Sequence, residues 1–106
     1  MRHGERVGVI VVNWNAGDLL LSCVESIAGQ TIAPERVLIV DNASTDDSLG
    51  DLEKRFPQFE VLRQPVNRGF ACANNIGIDR LVDVDWIALL NPDAVAHPDW
   101  LENLLA

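Results

Sequence analysis

The chain has 106 residues, enough for one small domain. Hydrophobic residues make up 48% and charged residues 23%, a balance that excludes an intrinsically disordered chain. The formal net charge of −8 repels nucleic-acid phosphates and anionic lipid, so nucleic acid is not a partner; any anionic ligand needs a divalent cation or a local arginine to offset that field.

Residues Met1 to Arg6 lead straight into a strand with no signal-peptide core. Val7 to Asn13 is a near-continuous apolar run rich in β-branched residues, which reads as a strand buried on both faces. Asp18 to Ala28 follows with Leu20, Val24 and Ile27 at the spacing of a helix face. Arg36 to Val40 is a second buried strand. Ser44 is a candidate helix N-cap, with Asp46 and Asp47 in the first turn where carboxylates suit the helix dipole. That helix shows Leu49, Leu52 and Phe56 on one side and stops at Pro57. Phe59 to Arg63 is a shorter strand nearer an edge. Gly69 to Val82 is a third helix with Ala73, Ile76 and Leu81 as core positions, and Trp86 to Leu90 is a fourth strand. His97 and Pro98 open a last helix, since proline is favoured at the first helical position. The chain closes at Leu104-Leu105-Ala106 inside an apolar helical pattern with no capping signal, so a longer protein is expected.

Only two cysteines occur, Cys23 and Cys72, each in a helical stretch. They read as small buried residues rather than a disulfide or metal pair, which suits a reducing cytoplasm. No apolar run approaches the ~20 residues that span a bilayer, so a place at the inner face of the membrane would depend on parts absent from this sequence.

The order βαβαβαβα predicts a doubly wound α/β fold, a mostly parallel four-stranded sheet with helices on both faces. Ligands in such sheets bind beyond the carboxyl ends of the strands, at the switch point of strand order. Four polar loops fall there: Asn13-Trp14-Asn15, Asp41 to Asp46, Asn67 to Phe70, and Asn91-Pro92-Asp93. One such loop is explained by turn formation; four converging ones predict a polar ligand. Asp41 can accept from a base N–H, and asparagines offer both donors and acceptors. Arg68 can pair with phosphate just before a helix N-terminus. Asp93 can hold a hard cation, Mg2+ or Mn2+, together with substrate phosphates. The first strand is followed by neither a Gly-x-Gly-x-x-Gly nor a Walker A loop, and Asn13 and Asn15 stand where a receiver domain needs acidic residues. Trp14 and Trp86 read as packing residues, Trp14 having the better claim to a base contact.

The stretches Val-Val-Asn-Trp-Asn, Ile-Val-Asp-Asn-Ala-Ser-Thr-Asp-Asp-Ser, Asn-Arg-Gly-Phe-Ala-Cys-Ala-Asn-Asn and Leu-Leu-Asn-Pro-Asp-Ala resemble family 2 glycosyltransferases with the GT-A fold, above all the rhamnosyltransferase type, from Val7 to about Leu105. The resemblance implies inverting transfer of a sugar, rhamnose among the candidates, from a UDP- or dTDP-type donor to a saccharide or lipid-linked acceptor. It implies that Asn13 and Asn15 line the nucleotide pocket and that Asp41 reads the pyrimidine. Ser44 and Asp46 would support that loop, Arg68 and Gly69 would lie beside base and phosphate, and Asn74 or Asn75 would face the site. Asn91-Pro92-Asp93 occupies the Asp-x-Asp position with Asn91 in place of the first aspartate, which leaves Asp93 as the main metal ligand. The family's general base would lie beyond Ala106, so no residue here is assigned to it. The alternative is a non-catalytic α/β binding or scaffold module. A nucleotidyltransferase would carry a Gly-rich basic loop where Asn13 to Asp18 stand.

Overall fold

The computed structural model describes residues 5–106. Residues 1–4, which belong to the stretch read as carrying no signal-peptide core, lie outside the described residues. The elements run β1 (Val7–Asn13), α1 (Asp18–Ala28), β2 (Arg36–Asp41), α2 (Ser48–Arg55), β3 (Glu60–Arg63), α3 (Phe70–Arg80), β4 (Trp86–Leu89) and α4 (Trp100–Leu105). The strand order is β3-β2-β1-β4, and every pairing is parallel. The chain steps outward from β1 through β2 to β3, then returns across the sheet to place β4 on the other side of β1. The switch point therefore lies between β1 and β4.

Alternation along β1 divides the core in two. Val7, Val9 and Val11 face one side, where α1 packs through Leu20, Cys23, Val24 and Ile27, α2 through Leu49 and Leu52, and α4 through Leu101. Ile10 and Val12 face the other side with Leu38 and Val40 of β2, covered by Ala73 and the residue closing α3, Leu81. Every residue of β1 is buried, which is why its sequence reads as a continuous apolar run. A Cβ added at Gly77 would stand 3.0 and 3.1 Å from Ile10 atoms and 3.3 Å from a Val40 methyl, so the absent side chain sets how closely α3 approaches the sheet.

The doubly wound α/β architecture agrees with the sequence reading, and five local expectations are corrected. Ser44 does not cap α2, which begins at Ser48. The backbone at Ala43 adopts a φ of 61°, and the Ser44 hydroxyl is engaged by neighbouring loops, so the chain runs on before coiling. Asp46 then accepts the Ser48 N–H at 3.1 Å from just outside the helix, not from within its first turn. The last helix begins at Trp100 rather than at His97-Pro98, because the Pro98 carbonyl is drawn to the Thr31 N–H at 2.8 Å. Cys23 is buried but Cys72 is exposed, since it lies on the outer side of α3. Trp86 and Trp14 are more than half exposed, at 55% and 57%, and do not pack into the core.

Candidate functional site

Parallel pairing brings the carboxyl ends of the strands to one edge, with Asn13, Asp41 and Arg63 level in register. The loops leaving β1 and β2 are bonded to each other there. Asn13, fully buried, donates through Nδ2 to Asp41 Oδ1 at 2.8 Å and to Ser48 Oγ at 3.0 Å. Asp41 is 3% exposed and has both carboxylate oxygens engaged. Oδ1 also accepts the Ser44 hydroxyl at 2.7 Å, and Oδ2 accepts the Ser44 N–H at 3.0 Å. Asn15 donates its N–H to Ser44 Oγ at 2.9 Å and accepts the Thr45 N–H on Oδ1 at 2.7 Å. Asp46 accepts the Gly17 N–H at 3.0 Å and also the Ser48 hydroxyl, and these hydrogen bonds to the ionised form, the hydroxyl first, hold its carboxyl below the usual carboxylate range. Asn13, Asn15, Asp41, Ser44 and Asp46 thus form one lock between two loops. Its bonds run inward.

The open side of this edge is a cleft of about 570 Å³ at the switch point. Val12, Trp14 and Leu19 border it from β1, the loop after it and α1, Asn42 from the residue just after β2, Asn67, Gly69 and Phe70 from the β3–α3 connection, and Asn91, Pro92 and Asp93 from the loop after β4. Asn42 is the residue that sequence reasoning missed. Its side chain is 2% exposed, donates to the Gly69 carbonyl at 3.2 Å and accepts the Arg68 N–H at 3.4 Å. The signal was present in the Asp41-Asn42 pair closing β2. Parallel geometry turns adjacent side chains to opposite faces, so when Asp41 is drawn to Asn13 its neighbour takes the cleft side. Gly69 has a φ of 84°, a conformation that favours glycine.

Arg68 is exposed and its guanidinium makes no hydrogen bond or ion pair among the described residues, whereas Arg6, Arg36, Arg55 and Arg63 are each paired with a carboxylate. It stands at the cleft's end of the sheet but does not line the cleft. Asn74 is buried on α3 and Asn75 is exposed, and neither borders the cleft. Asn91 and Asp93 do border it, in a turn closed by the Ala94 N–H on the Asn91 carbonyl at 3.0 Å. The Cys23 thiol donates to the same carbonyl at 3.4 Å. Burial, and secondarily the Asp93 carboxylate, push that thiol up to about 12. No three His, Cys, Asp or Glu side chains converge among the described residues.

A parallel sheet with a cleft at its switch point, lined by apolar side chains, three asparagines and one carboxylate, defines a doubly wound α/β domain. Residues 8–106 match the family described as Glycosyl transferase family 2, and the chain belongs to that family. It is 32% identical to the glycosyltransferase GlyG of Streptococcus pneumoniae over 94% of this chain and 34% of that protein. It is 29% identical to the O-antigen chain rhamnosyltransferase RfbN of Salmonella typhimurium, over 94% of this chain and 32% of RfbN. Among solved structures, the mannosyltransferase PcManGT from Pyrobaculum calidifontis, in complex with GDP-Man and Mn2+, superposes with a TM-score of 0.82 at 27% identity, covering 94% of this chain and 31% of PcManGT. The chain thus spans about a third of the length of the relatives it matches. No helix among the described residues is long and apolar enough to cross a membrane.

Proposed function

We propose that this chain is the donor-binding part of an inverting glycosyltransferase that uses a nucleoside diphosphate sugar of the UDP or dTDP type. The sugar is rhamnose or a related hexose, and the acceptor is a saccharide or a lipid-linked saccharide of the cell envelope, reached from the cytoplasmic side. The observation that carries this reading is the switch-point cleft, where Asn42, Asn67 and Gly69 share one space with Asn91 and Asp93. Asparagine amides there can recognise the base and ribose through paired donors and acceptors. Trp14 and Phe70 offer flat apolar surfaces at its rim.

Asp93 would hold a Mg2+ or Mn2+ ion, with Asn91 as a neutral helper, and Arg68 would meet the diphosphate as a free cation. A bound metal ion supplies Lewis-acid stabilisation of the charge that develops on the departing diphosphate. The chain's own residues position the donor: the Asn13-Asp41-Ser44 lock fixes the loops, and Asn42 fixes the loop carrying Arg68 and Gly69. No residue of this chain is assigned as general base. Titration calorimetry with UDP and dTDP, with and without Mn2+, tests the reading. Mn2+ should tighten binding about tenfold, ~1.4 kcal/mol. Asp93→Ala should abolish that gain. Absence of heat from either nucleotide in a folded sample, or an unchanged Mn2+ gain in the variant, would leave the non-catalytic module as the correct reading.

A further inference from the structure

The loop that carries Asn91 and Asp93 has no regular structure between β4 and α4, yet it is held at regular intervals by one helix. The Cys23 thiol donates to the Asn91 carbonyl at 3.4 Å. Three residues on, the Ser26 hydroxyl accepts the Ala96 N–H at 3.0 Å while donating to the Cys23 carbonyl at 2.6 Å. Four residues further, Gln30 donates to the carbonyls of His97 at 2.6 Å and Ser26 at 3.1 Å, and accepts the Leu101 N–H at 3.0 Å. Thr31 completes the series with its N–H on the Pro98 carbonyl at 2.8 Å and its hydroxyl on Glu102 at 2.8 Å.

Cys23, Ser26 and Gln30 lie on one stripe of α1 and its end, at spacings of three and four residues. The stripe faces a loop that has no ladder of its own to satisfy its backbone. Gln30 is only 9% exposed, and a buried amide with three bonds orders whatever it holds. The start of α1 is fixed too, because the Gly17 N–H is bonded to Asp46 in the lock between the first two loops. One rigid helix therefore connects that lock to the loop bearing Asp93.

We infer that Ser26 and Gln30 are positioning residues: the polar stripe of α1 fixes the Asn91–Asp93 loop and thereby sets its affinity for a divalent cation at the nucleotide cleft. The inference rests on the cation reading of Asp93 given above. Neither side chain touches the cleft, so each acts through the loop backbone.

The test compares the wild-type chain with Ser26→Ala, Ser26→Thr and Gln30→Ala by two measurements. The first is amide hydrogen exchange at Ala94 and Ala96. The second is calorimetry with UDP at increasing Mn2+. Ser26→Ala should speed exchange at Ala96 at least tenfold and weaken the Mn2+ gain in UDP affinity about threefold to tenfold, with Mn2+-free affinity unchanged. Ser26→Thr, which keeps the hydroxyl, should restore both. Gln30→Ala should speed exchange and weaken the Mn2+ gain more strongly than Ser26→Ala does, read at a temperature where circular dichroism shows it folded. Variants that lose thermal stability but keep wild-type exchange at Ala94 and Ala96, or a wild-type Mn2+ gain, overturn the inference. A wild-type chain that binds UDP without any Mn2+ gain overturns the cation reading instead, and exchange at Ala96 then still decides whether the stripe holds the loop.

Discussion

Cys23 and Cys72 fall into two chemical classes. Cys72 is exposed on α3, while Cys23 is buried beneath the Asn91 carbonyl with its thiol pushed up to about 12. The thiolate is the reactive form, so Cys23 is inert at pH 8 for two reasons, access and protonation. An aromatic disulfide reagent should therefore release one equivalent of thiol from the native chain and two from the denatured one. The same shift has a stability consequence. The folded state keeps the Cys23 proton where the unfolded thiol, at its ordinary 9.0, has lost it. The contribution is complete below pH 9.0 and fades as pH climbs towards about 12. Thermal melts of wild type and Cys23→Ala should show a steeper alkaline decline in the wild type.

Ala43 presents a different residue-level conflict. Its φ of 61° places a Cβ in the left-handed region, next to the Ser44 bonds that hold the loops together. That conformation costs an L-residue on the order of 1 kcal/mol relative to glycine. Ala43→Gly should raise the melting temperature by several degrees, since ~1 kcal/mol moves a domain of this size by about 4–8 °C. A fall in melting temperature would mean that the unfolded-state entropy gained by glycine outweighs the relieved strain.

Among the elements, α3 is the helix whose place depends most on a missing side chain. Gly77 meets Ile10 and Val40 at distances that a Cβ would make tighter than ordinary contact. Ile10 is in the middle of fully buried β1, so it has little room to yield. Gly77→Ala should cost about 1–3 kcal/mol despite alanine's higher helix propensity, because overpacking opposes the gain. Gly77→Val should cost more, and urea denaturation measures both. The same helix opens at Gly69 on the cleft, so a shifted α3 should also weaken nucleotide binding.

The elements also show where sequence reading works. β1 and β2 were legible because strands buried on both faces show interiors that are almost wholly apolar and mostly β-branched, with polar residues at their ends. α1 was legible because its core stripe recurs at helical spacing. The start of α2 was not, because Ser44, Thr45, Asp46 and Ser48 all suit a helix N-terminus and only tertiary bonds decide among them. Ser44 is taken by Asp41 and Asn15, and the helix waits for Ser48. The candidate site was legible as an edge but not as a set of side chains. Loop membership identified Asn13, Asp41, Asn91 and Asp93 alike, whereas the folded chain turns the first two into the lock and leaves the last two on the cleft. Gln30 left no chemical signal, because an amide after a helix is ordinary until its partners 67 and 71 residues away are known.

Across the whole molecule, the sheet is covered unevenly. β1 is flanked on both sides, but β4 pairs only with β1 and leaves its outer edge open among the described residues. Trp86 is 55% exposed and Leu89 is 48% exposed on that strand, with Val82, Val95 and Leu104 exposed as well. An open strand edge bordered by large apolar side chains favours pairing with another chain. The formal charge of −8 works against it, since two copies repel at low ionic strength. The two effects respond oppositely to salt: screening removes the repulsion and leaves the apolar attraction. Sedimentation velocity should therefore show self-association of this chain that increases with concentration and with added NaCl. Trp86→Lys separates the causes. It lowers the net negative charge, which by electrostatics alone would promote association, yet it removes the largest exposed apolar group of the edge. If the edge drives assembly, Trp86→Lys stays monomeric under conditions where the wild type associates. If the variant associates as strongly as the wild type, the contact lies on another face and the β4 edge is not its seat.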